Sequence, residues 1–273
     1  MKKLLFVLLA FFATTVFAWE QRAPLPVQAC QVHSPYGFAV AQRPAQPICR
    51  EAYLVGYDAP VKIPVYVAYT LLPQNALGCF PRTNAFVADQ SLNGMGARPD
   101  DYAGTGYDKG HAAPDGDLSW SQQVEYESFL MTNMYPQHGS LNRGIWKLLE
   151  TSVRGWAVQL NQTFTIYVGA LYGTGDAFIG NGVIVPHGYY KIVINQNTGA
   201  VAGWVFPHTK PYQNLGNDLT KFRVPVAQIQ QQANVQFKFP ANANELAPGG
   251  EWPVNFGALT QAKRAKCGAN ASE

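Results

Sequence analysis

Charge is scarce in this 273-residue chain. Asp, Glu, Lys and Arg make up 14% of it, and 20 basic against 17 acidic residues leave a formal charge of +3. No global field advertises a polyanionic partner, so any affinity for phosphate has to come from a local patch. Cysteine is sparse as well: four residues, Cys30, Cys49, Cys79 and Cys267, none at CxxC spacing. That pattern favours two disulfides over a metal site and suits an oxidising compartment. Three pairings are open, and in any pairing Cys267 would tether the C-terminal tail. Repeats and low-complexity tracts are absent, and after residue 18 no apolar run approaches the roughly 20 residues that cross a bilayer.

The first 18 residues are the one long apolar stretch. Lys2 and Lys3 precede Leu4 to Phe17, and Val16-Phe17-Ala18 offers a small-residue cleavage site, so a removed secretory signal is expected, with the mature chain starting near Trp19. Removal takes two lysines with it, leaving 18 basic and 17 acidic residues. The expected location is secreted or periplasmic, with no membrane attachment after cleavage.

What is abundant is apolar and turn-forming. Hydrophobic residues reach 47%, with 14 Tyr, 15 Phe and 6 Trp, while 25 Gly and 19 Pro are spread throughout. One large globular domain, or two tightly joined ones, with short strands and many loops is expected. Residues 19–50, rich in Pro, Gln and Ala, read as an irregular arm fixed by Cys30 and Cys49. Residues 51–240 read as the working domain and 241–273 as an irregular tail. Tyr53 to Leu71 predicts two strands around Asp58-Ala59-Pro60. Residues 72–122 read as a long, functional loop region. Ser121 to Leu130 predicts a short helix and Asn142 to Leu160 a longer one, with Ile145, Leu148, Leu149, Val153, Trp156 and Leu160 at spacings of three and four. Strands follow over Phe164 to Leu171, Gly182 to Val185, Tyr189 to Ile194 and Ala200 to Val205, with a brief helix at Gln228 to Gln232. The class is α+β with a central mixed or antiparallel sheet.

Two segments carry polar residues where a purely structural chain would place turn formers or apolar groups. In TGYDKGHAAPDGD, His111 can take a proton from water near neutral pH, Lys109 can neutralise a phosphate oxygen, and Gly110 lets backbone approach a ligand. A satisfied loop histidine beside a solvated lysine would read the same way. In MTNMYPQHGSLNRGIWKLLE, the amides Asn133 and Asn142 suit helix caps or neutral ligands for a hard cation. On a continuous helix Glu150 lies about 80° from Asn142 and Arg154 a further 40° on. One stripe could hold a metal ligand, a carboxylate and a guanidinium, or simply a cap and a Glu150–Arg154 ion pair. Asp115-Gly116-Asp117 lacks the remaining ligands of a calcium loop.

Together the two segments resemble the DNA/RNA non-specific endonucleases with a ββα-metal active site. That family carries D-R-G-H, then T-N-x-x-P-Q, then L-N-x-G-x-W-x-x-L-E. Here they stand as Asp108-Lys109-Gly110-His111, Thr132-Asn133-Met134-Tyr135-Pro136-Gln137 and Leu141-Asn142-Arg143-Gly144-Ile145-Trp146-Lys147-Leu148-Leu149-Glu150. Arg82 and Phe86 to Asp89 fall where the family has an arginine and an acidic loop, and Pro186 to Lys191 resembles its proline and aromatic-lysine strand. The likeness spans roughly residues 51 to 235. The departure is Lys109 in place of arginine, which keeps the charge but loses bidentate phosphate binding.

The resemblance implies a ββα-metal motif on the sheet and a magnesium-dependent endonuclease, with manganese able to substitute, acting on DNA and RNA without base preference and leaving 5′-phosphate ends. His111 would be general base, Asn142 the direct metal ligand, Glu150 the holder of the metal's water shell and Asn133 a positioning residue. Arg154, Arg82, Lys109 and Arg143 would contact phosphate. An inhibitor protein or a homodimer is compatible with it. The rival expectation is a catalytically silent, exported nucleic-acid-binding protein of the same fold.

Overall fold

The computed structural model describes residues 20–268; the expected signal segment lies outside them. Seven strands form the central sheet: β1 (Gln46–Cys49), β2 (Leu54–Asp58), β3 (Ile63–Leu71), and, later in the chain, four more. A separate two-stranded sheet intervenes, built from β4 (Tyr107–His111) and β5 (Met134–His138). The main sheet then resumes with β6 (Phe164–Leu171), β7 (Gly188–Asn195), β8 (Val201–Pro207) and β9 (Arg223–Val224). Its order is β9-β8-β7-β6-β3-β2-β1. Every neighbouring pair is antiparallel, which resolves the mixed-or-antiparallel expectation.

The central strands read as near-continuous apolar runs because both faces are covered. On β6, Phe164, Ile166, Val168 and Ala170 enter one core while Tyr167 and Leu171 enter the other. The first core is closed by α2 (Lys147–Leu160), whose Leu149, Val153, Trp156 and Ala157 are buried. The second is closed by α3 (Val226–Ala233) together with the N-terminal residues around Cys30. A short helix α1 (Gln122–Ser128) precedes β5, and α4 (Phe256–Cys267) packs beside α2.

Two stretches expected to be irregular carry regular elements. Gln46–Cys49 pairs with β2 as the sheet's edge strand; its Pro47 costs nothing there because an edge needs hydrogen bonds on one side only. The tail contains α4, whose small and polar residues bury Leu259 alone and so leave little apolar periodicity to read. The cysteines pair as Cys30–Cys49 and Cys79–Cys267, and the second bond does tether the tail.

The long helix also starts differently from its periodicity. Leu141–Trp146 forms a wider turn, broken at Gly144 (φ −102°, ψ −119°), before regular α2 begins at Lys147. Ser140 occupies the cap position without a side-chain cap hydrogen bond, and Asn142 turns to another partner. The angular phase between Asn142 and Glu150 on a continuous helix therefore does not apply.

Candidate active site

Antiparallel β4 and β5, followed by the Gly144 turn and α2, form a strand–strand–helix unit. The register sets Asp108 opposite Gln137 and His111 opposite Met134. At the end of β4 the chain is pinned by Asn133. Its Nδ2 donates to the carbonyls of Ala113 and Ser128 (2.9 Å each), and its Oδ1 accepts from the Ala113 N–H at 2.9 Å. Asn133 is fully buried, with its amide consumed by backbone. It fixes the loop after His111 from behind and does not line the cleft.

Seven of the eight expected site residues do share one cleft of about 270 Å³. Arg82, Lys109, His111, Asn142, Arg143, Glu150 and Arg154 line it together with Asp115 and Lys147. Five cations against two carboxylates make this the local positive patch that overall composition lacks.

His111 is buried, edge-on to Phe129 with ring centroids 4.9 Å apart and tilted against Phe86. Burial, and secondarily the charge of Arg82, pull its pKa down to about 3. The imidazole is therefore neutral at physiological pH, and its buried Nε2 has no hydrogen-bond partner among the described residues. Gly110, beside it, serves packing: a Cβ there would meet Gln137 Oε1 at 2.1 Å. The expected approach of a ligand to that backbone is corrected accordingly.

Asn142 Nδ2 donates to Asp108 Oδ2 at 2.9 Å, and the same carboxylate oxygen accepts from Arg143 Nε at 3.1 Å. A carboxylate can only accept, so the amide nitrogen faces Asp108 and the amide oxygen is turned away from it. Arg143 is largely solvated at the rim. Arg82 bridges to Asp115 at 3.1 Å and lies 4.8 Å over the Phe129 ring. Lys109 Nζ lies 5.0 Å over Phe86.

Arg154 does not pair with Glu150. Its Nη1 donates to the fully buried Asp117 at 2.8 Å, and Asp117 in turn accepts from Tyr69. Glu150 instead faces Lys191 of β7, with Nζ 3.7 Å from Oε1. Lys191 has no exposed side-chain surface and sits 4.7 Å over Trp146. Burial pushes Glu150 up, against the pull of Lys191 and Arg154, and pushes Lys191 down, against the pull of Glu150.

Asp108, Asp117 and Lys191 are the functional neighbours that residue-by-residue reading passes over. Lys191 had a usable signal: it shares the strand face of Tyr189 and Val193, which point into the core beneath α2. Glu125 also went unread. Its buried carboxylate accepts from the Thr83 N–H at 2.8 Å and so holds the segment bearing Arg82. Burial, then the nearby Asp115 charge, push it up to about 7 against the Thr83 hydrogen bond.

Among the described residues no three or more His, Cys, Asp or Glu side chains gather to hold a metal. That excludes a site made of four such ligands. The donors present are the Asn142 amide oxygen and the carboxylates of Glu150 and Asp115 in a polar cleft, which suit a hard cation that keeps most of its water.

The sequence profile of the DNA/RNA non-specific endonucleases matches residues 33–245. The chain belongs to that family. The family is one of metal-dependent nucleases. Among curated relatives, Nuclease 1, mitochondrial, of Schizosaccharomyces pombe is 30% identical over 209 residues, covering 67% of this chain and 63% of the relative. Endonuclease G, mitochondrial, of Homo sapiens is 27% identical over 209 residues, covering 71% and 69%. A nuclease of Nostoc sp. is 28% identical over 198 residues, covering 69% and 71%. The match with the fission-yeast protein thus leaves more than a third of that relative's length outside it. The solved structure of an EndoG/EndoGI complex aligns with TM-score 0.66 at 24% identity, over 78% of this chain and 91% of that one. It shares the ββα-metal fold.

These relatives correct one expectation, the secreted or periplasmic location. The fission-yeast, human and budding-yeast proteins are mitochondrial nucleases, which speaks against the expectation of an exported protein. No helix among the described residues is long and apolar enough to cross a membrane.

Proposed function

We propose that this protein is a magnesium-dependent endonuclease that hydrolyses phosphodiester bonds of DNA and RNA without base preference, leaving 5′-phosphate ends. The observation that carries the reading is a buried, neutral His111 in the same cleft as an oriented Asn142, Glu150 and five cations.

Asn142 would offer its amide oxygen to the ion, and Glu150 would accept hydrogen bonds from the ion's water shell. Magnesium, or manganese in its place, supplies Lewis-acid stabilisation of charge on the phosphate and the leaving oxygen. His111 takes the proton of the attacking water as general base; at pH 7 its low pKa keeps it in the form that can accept one. Asp108 sets which end of the Asn142 amide faces the cleft. Arg82, Lys109 and Arg154 neutralise phosphate oxygens, with Arg143 at the rim and Asn133 holding the His111 loop from behind. These groups contact the sugar-phosphate backbone, which carries no base identity, and a water nucleophile needs no 2′-hydroxyl.

The test is incubation of the oxidised protein with plasmid DNA and with structured RNA, in magnesium and in EDTA, followed on gels. Magnesium-dependent fragmentation of both is expected. His111→Ala should lose about 10² to 10⁴ in turnover. Intact substrates from folded protein that still shifts DNA on a native gel would replace this reading with that of a binding protein.

A further inference from the structure

A second cavity of about 350 Å³ lies between α2 and α4 and adjoins the cleft, since Gly116, Lys147 and Arg154 line both. Its walls are apolar, with Leu148 on α2 facing Phe256 and Leu259 on α4; Lys147, Arg154 and Lys263 add positive charge, and no carboxylate lines it. Phe256 is a large apolar side chain left 40% exposed at the start of α4. The wall is rigidly seated. Cys79–Cys267 ties its far end, Lys266 Nζ donates to the Gln74 carbonyl at 2.8 Å, and Gln159 holds the backbone of Asn255 through two hydrogen bonds. Helix α4 lies beyond residues 33–245, so this wall is an addition to the part shared with the family.

We propose that this groove binds an unpaired segment of the nucleic-acid substrate next to the scissile phosphate, one base stacking on Phe256 while the flanking phosphates meet Lys147, Arg154 and Lys263. The inference rests on the nuclease reading for the identity of the polyanion. An apolar slot edged by cations matches a single strand, whose bases offer their faces for stacking along a charged backbone. A duplex buries those faces between its own base pairs and presents only phosphate to such a wall. The groove therefore gives the enzyme a preference for single-stranded or locally melted substrate, which the phosphate-reading cleft does not supply.

The test is equilibrium binding of a fluorescein-labelled oligothymidylate of twelve nucleotides, in EDTA so that binding is read without cleavage. Phe256→Ala, at an exposed position, and Thr260→Trp, which fills the groove, should each raise Kd roughly tenfold, within the range of one lost base–aromatic stack. An abasic oligomer of the same length should bind wild type and Phe256→Ala equally. Unchanged affinity of both variants for oligothymidylate, or an equal loss on the abasic strand, would overturn the proposal, as would wild type that binds duplex better than single strand. Tenfold losses from a protein that proves unable to cleave in magnesium would keep the groove and remove the nuclease reading instead.

Discussion

Lys191 is an expensive residue to bury. A lysine with no exposed side-chain surface persists only where a counter-charge offsets its desolvation, and here that charge is Glu150, 3.7 Å away. The pairing works in both directions: Lys191 opposes the burial that raises the Glu150 carboxyl. Lys191 has no exposed side-chain surface and does not line the cleft, so its role is positioning. Replacing it by methionine removes the cation and leaves its volume. Glu150 then rises further, and the acidic limb of the pH–rate profile should move to higher pH, with activity lost below it. Activity should recover toward higher pH. A profile that stays in place while turnover drops would mean that Lys191 serves only as packing. Adding Glu150→Gln to Lys191→Met should restore thermal stability lost in the single variant, because the uncompensated buried carboxylate is then gone.

At the scale of elements, the β4–β5 pair depends on an absent side chain. Gly110 lies against the fully buried Gln137, and a Cβ would come within 2.1 Å of Oε1 and 2.8 Å of Cγ. Gly110→Ala should therefore push Gln137 from its place, strain the ladder next to His111, and cost about 1–3 kcal/mol of stability by denaturant melting. Turnover should fall with it, whereas Gly173→Ala, where an added Cβ has nothing within 4 Å and φ is not left-handed, should leave both stability and turnover nearly unchanged. Gly110 also shows what could be read beforehand. The presence of glycine beside His111 is visible in the sequence, but its reason is not, because Gln137 is 27 positions away and becomes a neighbour only through strand pairing. The same limit explains Arg154. Its i−4 neighbour Glu150 is the partner that helical spacing offers, yet Asp117 wins from a four-residue turn that periodicity cannot place. Strands and α2 were legible because apolar periodicity is local. The Gly144 break was not, since one glycine in a periodic run is compatible with an unbroken helix. His111, Asn142 and Glu150 were legible as candidates through the motifs that resemble the family, since residue by residue a loop histidine, an Asn cap and a helical ion pair read equally well. Their convergence on one cleft needed the fold.

For the whole molecule, stability should depend on pH through histidines that fold in the neutral state. His33 anchors the N-terminal segment against the sheet, its Nε2 3.2 Å from the Glu51 carbonyl. Burial, opposed by that hydrogen bond, pulls it down to about 4 from an ordinary 6.5. The folded pKa is depressed, so below pH 6.5 the unfolded chain binds a proton that the folded chain refuses. Stability from this group is complete above pH 6.5 and is lost as pH falls toward 4, by about 3 kcal/mol over that window. The two disulfides do not titrate and hold the same connectivity across it, so urea melts of the oxidised protein at pH 7 and pH 4.5 compare the same covalent chain. The midpoint should fall at the lower pH. In His33→Gln, which keeps a donor for the Glu51 carbonyl but cannot be charged, the difference between the two pH values should shrink by about 2–3 kcal/mol, leaving the share carried by His111 and the carboxylates. An undiminished pH difference in His33→Gln would mean that the N-terminal segment is held by the Cys30–Cys49 bond and its packing alone, and that the acid sensitivity resides at the cleft.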